Sequence, residues 1–296
     1  MKTSKLSMQW FIHSFFIIYV VITIVPLLLV FMVSITDEKT LTLNGYSLFP
    51  EKINFTAYSY LFNDSRVILD AYGVTTTVTV IGTVLGLLLT ALFAYPISRM
   101  DFPFRKGLTF YVFFTMLFNG GLVSTYLVYT KLLGINDSLL ALIVPSGLLL
   151  GGFNIILMRT FFSTTIPPSL IESAQIDGAG ELRIFFQIIL RLSLPVLATI
   201  GLFYTLAYWN DWFNSLVYIS DPKKYSLQYL LNLTLLNIQF LVTSPGNSNT
   251  SQLLAQIPTE TVRMAMAVIG TGPIILAYPF FQKYLIQGLT IGSVKG

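Results

Sequence analysis

The sequence contains no cysteine and only one histidine, His13. Without cysteine the chain can form no disulfide, no thiolate nucleophile and no cysteine-based zinc site. A lone histidine lacks the partners that a zinc site or a catalytic triad requires, so a structural role is expected for His13. These absences exclude most metal-dependent and nucleophilic enzyme classes, and we expect neither a catalytic nor a metal site.

Charged residues are also scarce, at 10% of the 296 residues. Soluble domains are about one quarter charged, so this chain has too little charge to cover a soluble surface. The hydrophobic content of 54% and the mean hydropathy of +0.74 indicate an integral membrane protein in a lipid bilayer. The basic residues lie singly between apolar runs, so the net charge of +4 does not indicate a nucleic-acid partner.

Long apolar runs without charge predict six transmembrane helices, because about 20 apolar residues span the hydrocarbon core of a bilayer. The runs are 6–36, 71–98, 107–130, 138–158, 192–210 (with a continuation to 219) and 264–282. The first run is longer than the core of a signal peptide and no small-residue cleavage site follows it, so we expect a retained helix. The predicted fold class is an all-α integral membrane protein.

One further uncharged segment, 225–259, does not fit a transmembrane helix because polar side chains and a Pro-Gly-Asn-Ser stretch interrupt it. Its leucine and isoleucine residues recur at helical spacing, which gives one apolar and one polar face. We therefore predict an amphipathic helix near 225–242 that lies on the outer side of the membrane and does not cross it.

The basic residues also predict the orientation of the chain. The short loop Met100 to Lys106 and the segment between the fourth and fifth runs place their basic residues beside the ends of predicted helices, where the positive-inside rule applies best. We therefore expect both termini on the cytoplasmic side of a multi-pass protein. The predicted parts are an N-terminal transmembrane helix with an outer loop (1–70), a transmembrane core (71–285) and a cytoplasmic tail (286–296).

The inner segment from Thr164 to Pro195 carries the most specific pattern, TTIPPSLIESAQIDGAGELRIFFQIILRLSLP. Pro167 and Pro168 predict the start of a short helix, since proline suits a first helical turn. Gly178 should end that helix, and the stretch after it predicts a second amphipathic helix leading into the fifth run. The segment therefore predicts a short helix crossing the inner face between two transmembrane helices.

This segment resembles the cytoplasmic loop motif of type I ABC importer permeases, which reads roughly Glu-Ala-Ala, three residues, Gly, nine residues, Ile, one residue, Leu-Pro. The residues in register are Glu172, Ala174, Gly178, Ile188 and Leu190. Ser173 replaces the central alanine and Arg191 replaces the proline, with Pro195 four residues further on. Asp177-Gly178-Ala179 matches the form common in sugar permeases, and so do the run YWNDWFN (208–214) and the final Val-Lys-Gly.

The resemblance implies a type I ABC importer transmembrane fold and a permease subunit that imports a sugar or oligosaccharide across a bacterial cell membrane. It implies a coupling loop at 161–193 that docks onto a cytoplasmic ABC ATPase dimer, which binds ATP and Mg. A second homologous permease and an extracytoplasmic solute-binding protein are implied as further partners. The implied coupling residues are Glu172, Ser173, Ala174, Asp177, Gly178, Ala179, Ile188 and Leu190.

The chain contains no P-loop sequence, GxxxxGK[ST], so we expect no ATPase site and no cofactor in it. Sugars are bound by aromatic faces and hydrogen-bonding side chains, and one short run offers both. The candidate pathway residues are Tyr208, Trp209, Asn210, Asp211 and Trp212. An ionisable residue in a predicted transmembrane helix, such as Asp211, is a functional candidate, but Trp and Tyr also form interfacial belts.

Other functions compete with this interpretation. An ATP-independent secondary transporter would need ion-coupling acids inside the membrane, where only Asp211 qualifies, and it would leave the inner loop unexplained. A membrane enzyme would need clustered catalytic residues, and the runs contain no HExxH, Ser–His pair or acid pair. An ABC importer for a non-sugar solute remains open within the same family.

Overall fold

The computed structural model describes residues 2–63, 65–145, 151–243 and 258–292. Within these ranges the regular structure is helical, apart from an isolated antiparallel bridge between Thr36 and Ile53. The all-α prediction is confirmed. The chain divides into two compact units, Met1–Ile68 with Leu231–Gly272, and Leu69–Leu230 with Pro273–Gly296.

The helices of the N-terminal part are α1 (Lys2–Ser34), α2 (Glu38–Asn44), α3 (Thr56–Leu61) and α4 (Ser65–Ser98). The middle of the chain forms α5 (Arg105–Leu117), α6 (Gly121–Leu127, continued by a π-helix at Val128–Leu132), α7 (Leu140–Ile143), α8 (Gly152–Thr165) and α9 (Pro168–Ile176). There follow α10 (Glu181–Ile184, continued by a π-helix at Phe185–Ile189), α11 (Leu190–Leu192), α12 (Leu194–Trp209) and α13 (Phe213–Tyr218). The last elements are a 3₁₀ turn (Pro222–Lys224), α14 (Leu227–Thr243) and α15 (Thr259–Gly292).

Three stretches of the described chain are long and apolar enough to cross a membrane as single helices: Met8–Ser34, Arg66–Ser98 and Thr259–Leu285. They confirm the first, second and sixth predicted transmembrane helices. Two bent helix pairs raise the number to five if each pair is one crossing. The fourth predicted run, 138–158, includes residues 146–150, which lie outside the described ranges, so the count of six stays a prediction.

The third predicted run is not one continuous helix, which corrects the expectation for 107–130. Helix α5 ends at Leu117 and α6 begins at Gly121, and the two stretches are bent by 114°. The Asn119 side-chain oxygen accepts a hydrogen bond from the Gly121 backbone nitrogen at 2.8 Å, which stabilises a local turn. Gly121 has a φ of 83°, a conformation that glycine adopts at no steric cost.

The fifth predicted run is also broken. The helical stretch that ends at Leu192 and helix α12 meet at an angle of 81° around Ser193, with Pro195 in the first turn of α12. Helix α12 ends at Trp209, so the continuation to 219 is the separate helix α13. The bend lies at the end of the predicted coupling loop and sets the direction in which the chain passes from that loop into α12.

Tight packing between α4 and α12 forms part of the core of the second unit. Tyr204 and Tyr208 of α12 are fully buried and contribute the largest side chains there. A Cβ atom added at Gly82 of α4 would overlap the Tyr208 ring, so the close approach requires a glycine. The predicted amphipathic helix near 225–242 is confirmed as α14, with Leu227 buried and Phe240 exposed.

The predicted boundaries at the C-terminal end differ from the structure. Helix α15 continues to Gly292, so the part of the expected tail that the structure describes is helical. Residues 293–296, including the final Val-Lys-Gly, lie outside the described ranges, as do residues 244–257 of the second predicted outer segment.

Candidate functional site

The predicted short helix of the inner segment is confirmed as α9. Ile166 is buried and extended after α8, and Pro167 continues the extended backbone with a ψ of 133°. Pro168 is the first residue of α9, where its missing N–H group leaves no hydrogen bond unmade. The chain therefore turns from α8 into α9 at the two prolines that the sequence pattern singles out.

Gly178 ends α9 through a backbone conformation that glycine favours. Its φ is 78°, which costs other L-residues about 1–2 kcal/mol. The Gly178 nitrogen donates to the Gln175 carbonyl at 3.0 Å, and the Ala179 nitrogen donates to the Ala174 carbonyl at 2.9 Å, so the last carbonyls of the helix are satisfied. A Cβ atom at Gly178 would meet no atom within 4 Å, so backbone conformation and not crowding within this chain explains the glycine.

Helix α9 packs on one side and presents the other. Ala174 is buried, and Ile171 packs against the core of the second unit. Glu172, Ser173 and Asp177 are exposed. The loop also exposes apolar side chains, and the most exposed are Ile176 (85%) and Leu182 (70%). The loop therefore presents both acidic and apolar side chains that are open to a partner protein.

The segment after the glycine supports this exposed surface. Ile184, Phe185 and Ile189 are buried, and the Phe185 ring lies 5.5 Å from the Tyr95 ring of α4. The predicted coupling residues Ile188 and Leu190, like Ala179, are half-buried and pack against the same core. They therefore lie beneath the loop and not on its exposed face.

A charged cluster ties the loop to the end of α4, and the sequence analysis missed it. The Arg99 Nη1 atom donates to both carboxylate oxygens of Glu181 at 2.9 Å. The Tyr95 hydroxyl donates to Glu181 at 2.9 Å, and the Gln175 side-chain amide of α9 donates to the same carboxylate at 2.9 Å. We call Tyr95, Arg99, Asp101, Gln175 and Glu181 the Arg99 cluster.

Arg99 also binds Asp101, its neighbour in the loop between α4 and α5. Arg99 Nε donates to Asp101 Oδ1 at 2.9 Å and Nη2 donates to Oδ2 at 2.6 Å. These hydrogen bonds from a guanidinium hold the pKa of the Asp101 carboxyl below its ordinary value of 3.8. One arginine thus joins α4, the α4–α5 loop and the coupling loop. The sequence did place Arg99 and Glu181, which carry opposite charges, in segments predicted for the same side of the membrane. Only the folded structure shows that the two side chains meet.

The predicted pathway residues do not share one face. Tyr208 is 2% exposed and its hydroxyl donates to the Ile143 carbonyl at 3.1 Å, and Trp209 is buried against Tyr72. Asn210 and Trp212, in contrast, are exposed at the end of α12. The structure therefore divides this set into two buried aromatic residues and two exposed residues.

Asp211 lies between these two groups and holds the start of α13. Its carboxylate accepts hydrogen bonds from the Asn214 backbone nitrogen at 3.1 Å and from the Asn214 amide at 2.6 Å. The Asp211 carbonyl accepts a hydrogen bond from the Ser226 hydroxyl at 2.9 Å. These contacts give Asp211 a structural role, and the assignment of the five residues to a substrate pathway stays a prediction.

Comparison with known proteins identifies the family. Residues 82–291 match the family model described as binding-protein-dependent transport system inner membrane component. The chain belongs to this family. It is 39% identical over 288 residues to the polygalacturonan/rhamnogalacturonan transport system permease protein of Bacillus subtilis, covering 96% of this chain and 97% of that protein. It is 40% identical over 275 residues to the protein LplC of Bacillus subtilis, covering 93% and 90%.

A solved structure supports the same assignment for the fold. The crystal structure of a bacterial ABC transporter involved in the import of the acidic polysaccharide alginate superposes with a TM-score of 0.75 at 30% sequence identity. The match covers 92% of this chain and 94% of that chain. The importer-permease family and fold that the loop resemblance implied are confirmed, and the chain is a membrane-embedded transport component.

Proposed function

We propose that this chain is the permease subunit of an ATP-binding-cassette importer in a bacterial cell membrane, and that it carries a sugar or oligosaccharide. The observation that carries the proposal is the structure of the coupling loop. Helix α9 ends at the Gly178 cap and exposes one face, and the Arg99 cluster ties the loop to the end of α4. The names of the relatives support a carbohydrate as the transported solute. A carbohydrate substrate distinguishes this proposal from the alternative of an ABC importer for a non-sugar solute.

The surface of α9 is proposed to dock onto a cytoplasmic ATPase that binds ATP and Mg. Glu172 and Asp177 supply exposed charge, and Ile176 supplies an apolar side chain for a partner to cover. The open space above Gly178 allows a partner backbone to approach closely. The chain contains no P-loop of its own, so the energy for transport must come from that partner.

The remaining partners and the orientation belong to the same proposal. An ATPase dimer has two sites for coupling helices, so a second, homologous permease would complete the transporter, and a solute-binding protein would deliver the solute from outside. The coupling loop and both termini are then cytoplasmic, as the basic residues beside the transmembrane helices favour. Only 6% of the most apolar stretch of α1 is buried, which leaves this helix open to contact with another membrane protein or with lipid.

The pathway assignment can be sharpened within the proposal. Asn210 and Trp212 are exposed and offer an amide and an indole ring to a sugar, whereas Tyr208 and Trp209 are buried. We propose that the exposed pair contacts the solute and that the buried pair holds the end of α12 in place through Ile143 and Tyr72.

The test is ATP-dependent uptake of labelled oligosaccharides into vesicles that hold the complete transporter, with Gly178→Asp compared against wild type. The variant forces an L-residue into a φ of 78° and places a charged side chain on the docking face. The matched control is Gly180→Asp, which adds the same charge two residues away at a φ of −71°, where aspartate suits the N-cap of α10.

The expected result is that Gly178→Asp loses uptake and no longer retains the ATPase on pull-down, while Gly180→Asp keeps both. Membrane insertion of each variant is checked by its abundance in the detergent extract. Equal uptake by Gly178→Asp and wild type, with an intact complex, would disprove the docking role of this loop and favour an ATP-independent transporter.

A further inference from the structure

A cavity of about 650 Å³ opens beside the Arg99 cluster and carries positive charge. It lies between the α4–α5 loop, the start of α5 and the middle of α8. Three basic residues line it: Arg105, Lys106 and Arg159. The lining is completed by Met100, Asp101, Phe102, Pro103 and Thr109. The proposed function assigns no role to this cavity.

The positive charge of the cavity is not neutralised by the protein. Among the described residues, Arg105, Lys106 and Arg159 form no salt bridge. The lining acid, Asp101, has both carboxylate oxygens bound to Arg99 and is therefore already neutralised. The Arg159 guanidinium is partly buried and is repelled by the positive charge of Arg105. Both effects lower the pKa of Arg159.

A polar group in the wall also lacks a partner. The Thr109 hydroxyl oxygen is buried, and within the described part of the chain it has no hydrogen-bond partner. A buried hydroxyl without a partner costs free energy, so rotation of the Thr109 side chain to donate to a ligand in the cavity would be favoured. Arg159 Nε donates to the Ile97 carbonyl at 3.2 Å, a bond that supplies no counter-charge. Cations without a counter-charge and an unpaired donor in one cavity fit a phosphate group, which offers several strong acceptor oxygens.

The position of the cavity indicates that its ligand also has an apolar part. It lies where the transmembrane stretch Arg66–Ser98 ends and the stretch from Arg105 begins, which is the depth of lipid headgroups. Met100 of the lining is 84% exposed, and the neighbours in sequence of other lining residues, Phe104 (69%) and Phe110 (70%), are also strongly exposed. A ligand that joins a phosphate to long acyl chains satisfies both the charged cavity and this apolar rim, whereas a soluble phosphate satisfies only the first.

We propose that this cavity is a binding site for the phosphate headgroup of an anionic phospholipid. The Arg99 cluster joins Asp101 of the cavity wall to Glu181 of the coupling loop, so the lipid binds on the same side of the membrane as that loop. The cationic side chains bind the phosphate oxygens, Thr109 donates to one of them, and the acyl chains lie against the exposed apolar rim. Basic pockets between transmembrane helices are known to bind anionic headgroups.

The test uses the full-length chain purified in neutral detergent and titrated with short-chain phosphatidylglycerol, with retained lipid measured by native mass spectrometry. Arg159→Gln is expected to weaken phosphatidylglycerol binding roughly fivefold, the factor for about 1 kcal/mol per basic residue at an anionic lipid surface. Arg159→Lys, which keeps the charge, should retain most of the binding. Lys131→Gln removes an exposed cation at the end of another helical stretch and should leave binding unchanged.

Thr109→Val provides a second variant that keeps the side-chain shape and the fold. It should weaken binding roughly two- to tenfold, which corresponds to the loss of one hydrogen bond. Phosphatidylcholine should bind more weakly than phosphatidylglycerol, and inorganic phosphate should fail to displace the lipid.

Three results would overturn the proposal. Equal binding of both lipids would show that only the apolar rim acts. Displacement by inorganic phosphate would assign the cavity to a soluble anion. Loss of the ATPase from an Arg159→Gln complex, with phosphatidylglycerol binding unchanged, would assign it to an acidic side chain of that partner.

Discussion

Two glutamates join segments that are far apart in the sequence, and they do so in different ways. Glu181 is bound by side chains alone, those of Arg99, Tyr95 and Gln175, and it remains 57% exposed. Glu38 instead accepts hydrogen bonds from the backbone nitrogens of Glu260 and Thr261 at 3.0 Å each. It also accepts hydrogen bonds from the hydroxyls of Thr259 and Thr261.

The difference concerns how firmly each contact holds. The Glu38 carboxylate caps the start of α15, where helical N–H groups lack partners and the helix dipole favours negative charge. The backbone donors are fixed by the helix itself. In the Arg99 cluster every donor to Glu181 is a side chain, and the accepting carboxylate is 57% exposed although Tyr95 is buried and Arg99 is 15% exposed. The Glu38 contact is therefore fixed by helix backbone, whereas the Arg99 cluster depends on the placement of side chains around a solvated carboxylate.

The largest expected effect is on stability, at Glu38. Glu38→Ala leaves two backbone N–H groups and the Thr261 hydroxyl without their acceptor and should lower the free energy of unfolding by about 2 kcal/mol. The measurement is the thermal unfolding midpoint in detergent. Glu51→Ala is the control, because Glu51 is exposed and binds only the Asn44 side chain in the described structure, so its effect should stay within about 0.5 kcal/mol. Equal shifts for the two variants would contradict the comparison.

The next effect concerns transport, at Arg99. Arg99→Gln removes the ion pairs to Glu181 and Asp101 and should change stability by about 1 kcal/mol or less, since both carboxylates are more than half exposed and water can solvate them in the variant. Uptake should fall by roughly two- to thirtyfold, the range for about 0.5–2 kcal/mol of coupling free energy. Arg183→Gln, on the same limb of the loop but bonded only to Gln187 in the described structure, should transport as wild type does. A variant that is clearly destabilised but takes up the solute as wild type does would contradict the assignment of the cluster to coupling.

The smallest effect is a pH dependence at Asp101. Because Arg99 holds the pKa of this carboxyl below 3.8, its ionised form stabilises the fold, and that contribution is fully present above pH 3.8. It is lost only as the pH falls through the lowered pKa. The stability difference between wild type and Asp101→Asn should therefore be below about 1 kcal/mol and constant from pH 8 to pH 5. A difference that vanishes between pH 7 and pH 5, measured by thermal unfolding, would show that Arg99 does not control this carboxyl.

The coupling loop was the part best predicted from the sequence, and the reason is local. Pro168 starts α9 and Gly178 ends it, because both residues restrict or permit backbone angles that need no distant contact. The break between α5 and α6 was missed although Asn119 and Gly121 carry a turn signal. Glycine is tolerated in transmembrane helices, so the apolar pattern outweighed that signal.

The pathway residues show what the sequence could not provide. Tyr208 and Trp212 are four residues apart, which predicts one helical face, yet α12 ends at Trp209 and the two side chains separate. Tyr208 is buried because Gly82, on another helix, leaves room for its ring. That packing depends on a residue more than a hundred positions away. The periodicity of a single segment carries no information about such a distant contact.

By itself the sequence determined the membrane class, most of the transmembrane segments, the short helix α9 and the family, because hydropathy and backbone preference are properties of neighbouring residues. Only the tertiary structure decided the pairing of Arg99 with Glu181, the capping of α15 by Glu38 and the cationic cavity around Arg159. Each of these depends on which distant segments meet, and that is set by the packing of helices whose apolar faces can match in many arrangements.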